Sequence, residues 1–440
     1  MVYILLIILV LQFVVSYYIF DKDLFSPSSI LCEVFIISTI ACIYNKSNWA
    51  VNLSLNTLLV IFVGNSVFIF ISALIHYLKR NRKKRLEMKE EGLRKIEITK
   101  TKCIVLLLFY LIFVIIFIKV NLSVLNSYIK NGNSFSSAMN IYRNESINNT
   151  LNLSSWIDGF NNVFSVGTYA LLYVFINNVI VDYKDKKNYI LLICIIIYLF
   201  SSVFTAQRTT ILLAFLYSLF VVYELLNRKY IFISKLNSKY IVLGLLVVVT
   251  FLTIFGITRQ LFGRKDRNSA LYNVTFYMGT SIESLDLFIK NPIKSQQFGE
   301  ELFKRFRNFL SKYGICEKSI NPNSFMEFRY SKNGIRVGNI YTGYREYIHD
   351  FGYGSIVFFQ TILAIFYGVW YEKLNNRNLR SNVDISFIVY AWFILCIYRF
   401  TIMNSFFSYL ATFVFYYWYI FLFWCLFLRL KIRWGNKYIA

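Results

Sequence analysis

What limits this chain most is the recurrence of apolar runs about as long as a membrane is thick. A helix that crosses ~30 Å of hydrocarbon needs roughly 20 apolar residues and must satisfy its backbone polar groups within itself. Eleven runs fit that description, at 2–20, 30–44, 55–78, 104–120, 163–181, 189–205, 211–226, 241–257, 354–371, 385–403 and 409–428. Runs 30–44 and 211–226 are short, and 163–181 is interrupted by Gly167, Asn177 and Asn178. Only 16% of the residues are charged, against about 25% in soluble domains. The expectation is an all-α polytopic membrane protein of about eleven transmembrane helices, with one large outer loop that contains amphipathic helices.

Composition removes several classes of function. Three prolines and seven cysteines in 440 residues exclude a collagen-like or disulfide-stapled chain. Two histidines leave little material for a zinc or haem site, so neither a metal nor a cofactor is expected. There is no GxxxxGK[ST] and no GxGxxG after a strand, which disfavours an ATP-driven pump. A net charge of +24 would suggest nucleic acid in a soluble protein. Here most of the charge lies between apolar runs, where Lys and Arg orient helices and attract anionic lipid, so no nucleic-acid partner is expected.

The basic loops set a topology. Stretch 79–102 includes Arg82-Lys83-Lys84-Arg85 and belongs on the cytoplasmic side by the positive-inside rule. Alternation then puts the basic stretches 184–187, 228–239, 373–380 and 431–437 on that side and the sparsely charged turns near Lys46, 207–210 and 404–408 outside. This leaves the N-terminus outside and the C-terminus cytoplasmic. The first run has no basic start and no small-residue cleavage site before Asp21, and reads as a retained anchor. Along the chain the divisions are 1–120, N-terminal membrane helices with the basic loop 79–102; 121–162, an Asn/Ser-rich outer loop; 163–257, central membrane helices; 258–353, the large outer loop; and 354–440, the C-terminal membrane helices.

The large outer loop is the expected seat of function. In 300–315, Leu302, Phe303, Phe306, Phe309, Leu310 and Tyr313 recur at helical spacing among Lys304, Arg305, Arg307 and Lys312. Such a helix can lie in the membrane interface as a roof over a headgroup site, or pack on the helix bundle. The densest pattern is 338–354, GNIYTGYREYIHDFGYG. A helix over 340–349, capped by Asn339, aligns Tyr341 with Arg345 and Arg345 with His349, and Gly352 and Gly354 allow a turn into the next membrane run. An ordinary alternative has Asp350 pairing with Arg345 and the glycines only shaping that turn. Arg208, Arg259 and Arg399 fall at the same expected level as Arg345. Charge near lipid normally faces a partner or a wet cavity, so four arginines at one depth suggest an anion site, although each alone could snorkel to the interface.

The many-helix plan, the Arg208-Thr209-Thr210 element and above all NIYTGYREYIHDFGYG at 339–354 resemble the Wzy-type oligosaccharide repeat-unit polymerases of O-antigen and capsular polysaccharide synthesis. Asn339, Tyr341, Thr342, Arg345, Asp350, Phe351, Gly352 and Gly354 match the family's N-x-Y-T-x-x-R…D-F-G-x-G pattern, and His349 has no counterpart in it. The resemblance implies a membrane glycosyltransferase at the outer face of the bacterial cytoplasmic membrane. Its substrates would be undecaprenyl-diphosphate-linked oligosaccharides, with membrane lipid around it and chain-length regulator and flippase proteins as partners. Guanidinium forks suit phosphate oxygens, which assigns Arg208, Arg259, Arg345 and Arg399 to the diphosphate. An attacking hydroxyl needs a proton acceptor, with Asp350 first and Glu346 and His349 as the other candidates.

Other readings compete. A flippase or other transporter of lipid-linked oligosaccharide shares the helices, although such sites usually sit near the midplane of repeated, interrupted helices. An O-antigen ligase shares the chemistry and differs in its acceptor. A polyprenyl-phosphate-sugar transferase would use an outer acidic pair, for which Asp21 and Asp23 are candidates, but the charge rule places them inside. A structural anchor needs no set of arginines.

Overall fold

The computed structural model describes residues 1–79, 93–148, 155–205, 209–229, 270–311, 314–317, 326–375, 384–423, 425, 432–434 and 437–439. Helices dominate: α1 Val2–Ile19, α2 Pro27–Tyr44, α3 Lys46–Trp49, α4 Leu55–Lys79, α5 Lys100–Lys130, α6 Phe135–Asn148, α7 Ser155–Val181, α8 Lys187–Ser201 and α9 Thr209–Lys229. There follow α10 Ala270–Lys290, α11 Lys304–Ser311, α12 Tyr344–Phe351, α13 Ser355–Asn375, α14 Ile385–Tyr398 and α15 Phe406–Phe423. Two antiparallel hairpins complete the described chain: β1 Arg329–Tyr330 with β2 Arg336–Gly338, and β3 Ile432–Trp434 with β4 Lys437–Ile439. Among the described residues, nine helices are long and apolar enough to cross a membrane, and α14 is a shorter apolar helix. The protein is therefore an all-α polytopic membrane protein. The expected run 241–257 lies outside the described residues.

The chain divides into two compact units of interleaved segments. One comprises 1–85, 268–377 and 393–412; the other comprises 86–267, 378–392 and 413–440.

In the first unit α4 packs along α13, with α1, α2 and α10 around them. Ser26 caps α2 by accepting from the Ser29 amide, and Pro27 opens the helix where its missing N–H costs nothing. Gln12 of α1 donates to the Phe62 carbonyl and to Ser66 of α4, at 3.0 and 2.8 Å. Phe68 meets Tyr367 and His76 meets Glu372, so α4 and α13 run in the same sense.

The segment expected as the large outer loop is more helical than the sequence suggests. Its 21-residue α10 was hidden in the sequence because Asn273, Glu283 and Asp286 break its apolar pattern. Those polar positions face the fold: Ser38 donates to the Met278 carbonyl, and α10 passes α2 so closely at Gly279 that a Cβ there would stand 2.6 Å from the Ala41 backbone. Asp286 accepts from the Ser54 amide and the Thr57 hydroxyl, fixing the start of α4. The helix expected over 300–315 is observed only at Lys304–Ser311, and Lys312 and Tyr313 lie outside the described residues. Phe303 beside it packs on Phe351, Phe359 and Phe407, so this segment binds the bundle.

In the second unit, α5 extends to Lys130 and α6 forms where a polar loop was expected over 121–162. Leu125, Ala138, Met139 and Tyr142 close a small core between them. The asparagines that interrupt run 163–181 have structural work. Asn178 pairs with both the N–H and the C=O of Ile96, at 2.8 and 2.9 Å, and Asn177 donates to the Arg94 carbonyl. Lys95 beside them bridges Asp182 and Asp185, each at 2.9 Å.

Candidate functional site

The motif helix α12 begins at Tyr344, four residues later than the sequence suggests, with Gly343 at its N-cap and no side-chain cap from Asn339. The reason is packing. The Gly343 amide donates 2.7 Å to the Phe400 carbonyl, and a Cβ at Gly343 would collide with the Phe400 ring. Tyr341 and Thr342 precede the helix outside regular secondary structure and are buried. At the other end Gly352 has φ +79, the left-handed conformation that glycine adopts without Cβ strain, and Gly354 leads into α13.

Arg345 and His349 do share one face of α12, and the partners come from the preceding loop. Arg345 is only 1% exposed. Its Nη1 donates to Glu301 and its Nη2 to Glu327 at 2.6 Å, while its guanidinium lies 4.8 Å from the Phe288 ring centre and 4.7 Å from that of Tyr341. Glu327 and Arg329, two apart on the extended chain entering β1, point to the same side and pair at 2.9 Å. Arg329 also donates to the Asn291 carbonyl at the end of α10. Burial alone would raise the Glu327 carboxyl, but the Arg345 guanidinium outweighs it and holds the group below the usual carboxylate range. Burial likewise opposes the charge on Arg345, and the Glu301 hydrogen bond and charge more than restore it.

The second half of the site is a histidine–carboxylate pair. His349 Nδ1 lies 2.7 Å from Asp350 Oδ1 and 3.8 Å from Glu301. Asp350 has a side chain that is 0% exposed and accepts from the backbone amides of Glu301 and Leu302, at 3.1 and 2.9 Å. It is anchored, and it fixes the imidazole so that Nδ1 carries the shared proton and Nε2 is left for another partner. Burial would lower the His349 pKa, but the Asp350 hydrogen bond and the Glu301 charge raise it above its ordinary value. Glu346 points the other way, into the bundle, where it is 5% exposed and accepts from the Asn404 amide at 3.2 Å. Burial pushes its carboxyl well above the usual range.

Of the sequence candidates, the structure gathers Arg345, Glu346, His349 and Asp350 on α12. Arg399 sits on the neighbouring turn, half-buried, with Nη1 3.4 Å from the Tyr409 hydroxyl and Nη2 2.6 Å from Met403 Sδ. Arg208 and Arg259 lie outside the described residues. Of the four guanidinium groups expected to meet, the two described, Arg345 and Arg399, bind different partners. The alternative Arg345–Asp350 pair is not formed, because Asp350 faces the turn at 301–302. Sequence reasoning missed Glu301, Glu327 and Arg329. The alternation of Glu327 and Arg329 was a faint signal for one shared side, and nothing in the spacing linked either to Arg345. Among the described residues no group of three or more His, Cys, Asp or Glu is arranged to hold a metal ion. No family model, curated protein sequence or solved structure matches the chain.

Proposed function

We propose that this protein extends glycan chains at a membrane surface, transferring a lipid-diphosphate-linked oligosaccharide onto the sugar end of another repeat unit. The observation that carries the reading is the His349–Asp350 pair, held beside Arg345 at the head of a membrane-helix bundle. His349 Nε2 takes the proton of the attacking sugar hydroxyl, Asp350 orients the ring, and the raised basicity of the imidazole favours the transfer. The diphosphate leaves with growing negative charge, for which Arg345 and Arg329 are the nearest guanidinium groups. Since Glu301 and Glu327 occupy Arg345, a phosphate that binds there displaces at least one carboxylate. The topology that goes with this reading has eleven spans, the N-terminus and the α12 site outside, and the C-terminus cytoplasmic, in the bacterial inner membrane.

The test is surface-polysaccharide length in a deletion strain complemented with wild type or with His349→Ala. Wild type restores long chains and the variant leaves single repeat units at equal protein abundance; long chains from His349→Ala would refute the assignment. A second reading, transport of the lipid-linked oligosaccharide, draws on the buried His76–Glu372 pair within the helices. The two are separated by where single-repeat glycolipid collects in the deletion strain: outside for the polymerase, inside for the transporter.

A further inference from the structure

The contact between α4 and α13 carries a stripe of buried polar groups that the site on α12 does not use. On α4, Asn65, Ser72 and His76 stand seven and four residues apart, which places them on one helix face. On α13, Gln360, Tyr367 and Tyr371 repeat the same spacing, with Glu372 beside the last. Each of these residues is at most 3% exposed. Both helices are apolar enough to span a membrane, where backbone and side-chain polar groups find no lipid partner.

Several of these groups have unmet hydrogen-bonding capacity. Asn65 Nδ2, Ser72 Oγ, His76 Nε2 and both polar atoms of Gln360 are buried without a hydrogen-bond partner. Native interiors seldom leave such atoms bare, and ordered water is the usual answer. Space is present at Gln360: it lines a cavity of about 10 Å³ together with Phe68, Tyr367, Cys396, Phe400 and Phe406, enough for the centre of one water molecule.

The two ends of the stripe carry different groups. At one end Tyr344 of α12 donates to Asn65 Oδ1 at 2.6 Å. At the other, His76 Nδ1 meets Glu372 at 2.6 Å, while Nε2 faces the half-exposed Asp21 carboxylate at 3.8 Å. Asp23, bonded to Tyr371, completes the charged surroundings from the α1–α2 turn. With Nδ1 donating to Glu372, Nε2 of a neutral ring is an open lone pair, the position a proton enters.

We infer that the α4–α13 seam is a hydrated proton pathway, with His76 as its proton-binding group at one end and Gln360 ordering water in its middle. This is independent of the glycan-polymerising reading, because it uses no residue of that chemistry. In it a proton passes from water to His76 Nε2 and back to water along the seam, with no bond to carbon made or broken.

The test uses the full chain in phosphatidylethanolamine–phosphatidylglycerol vesicles with an internal pH-sensitive dye and a valinomycin-clamped potassium gradient. Wild type acidifies the lumen faster than protein-free vesicles do. Gln360→Leu and His76→Gln fall to the protein-free rate. Gln360→Leu replaces an unpartnered buried amide by an apolar side chain and keeps its melting temperature; His76→Gln keeps a donor to Glu372 and removes only the imidazole. A wild-type rate equal to that of protein-free vesicles overturns the proposal, as does a folded Gln360→Leu or His76→Gln that conducts like wild type.

Discussion

The two ends of the α4–α13 pair solve the same problem in opposite ways. At the α12 end a fixed cation, Arg345, is held by two carboxylates from distant segments, with Arg329 shared by one of them. At the far end the central group is His76, set between Glu372 and Asp21. A guanidinium cannot release its proton in a protein, so the first cluster is a permanent clamp. An imidazole can, so the second has a charge that depends on its surroundings. Burial is the same for both, 1% for Arg345 and 3% for His76. What differs is whether the buried charge is obligatory: a guanidinium keeps its proton, whereas an imidazole need not.

The sharpest way to break this contrast is Arg345→Ala. Removing the cation strands Glu301 and Glu327 against each other, and loss of one partner from a buried pair typically costs about 3–5 kcal/mol. The glycan-polymerising reading alone expects lost polymer. The structure adds a fall in thermal stability and in abundance, measured by melting in detergent and by immunoblot. Arg345→Lys should recover only part, because one ammonium cannot fork to two carboxylates. At the other end, Glu372→Gln keeps the shape and removes one charge, so its cost is that of a weakened buried hydrogen bond, about 1–3 kcal/mol in a denaturant or thermal series. If the two variants cost the same, the distinction between the two ends fails.

Much of this architecture was legible in the sequence, since apolar length alone marks α1, α2, α4, α5, α7, α8, α9, α13 and α15. Helix ends were blurred because interfacial residues such as Lys100 or Ser155 continue a helix that hydropathy has already closed. α10 escaped because its polar residues are satisfied by α2 and the start of α4, a tertiary fact that no local window holds. At the site, the Arg345–His349 spacing was readable as one turn of helix. Its acidic partners were not, since Glu301 and Glu327 come from 44 and 18 residues away.

A close-packed contact between α4 and α12 gives a smaller test. Gly64 lies under the Tyr344 ring, whose hydroxyl bonds Asn65, so a methyl group there must push the ring aside. Gly64→Ala should cost about 1–3 kcal/mol by overpacking, read as a lower melting temperature. Loss of the contact is also expected to loosen Arg345 while leaving His76 unaffected. Equal proteolytic protection of both ends in Gly64→Ala would argue against separable ends.

The smallest expected effect is a slope. His349 is the histidine of the clamp end, and its pKa is raised in the fold despite burial, by Asp350 and then by Glu301. A raised folded pKa means that the protonated form is favoured by folding. Its contribution is complete below the unfolded value of about 6.5 and disappears as pH climbs through the raised folded value. Thermal stability should therefore decline with rising pH from near neutrality upward in wild type, and that portion of the slope should vanish in His349→Gln. The direction is what discriminates: a histidine whose burial won over its carboxylates would have a lowered pKa and would gain stability over the same rise. A wild-type slope of that opposite sign would mean that Asp350 does not hold the imidazolium, and the orienting role given to it would fall with it.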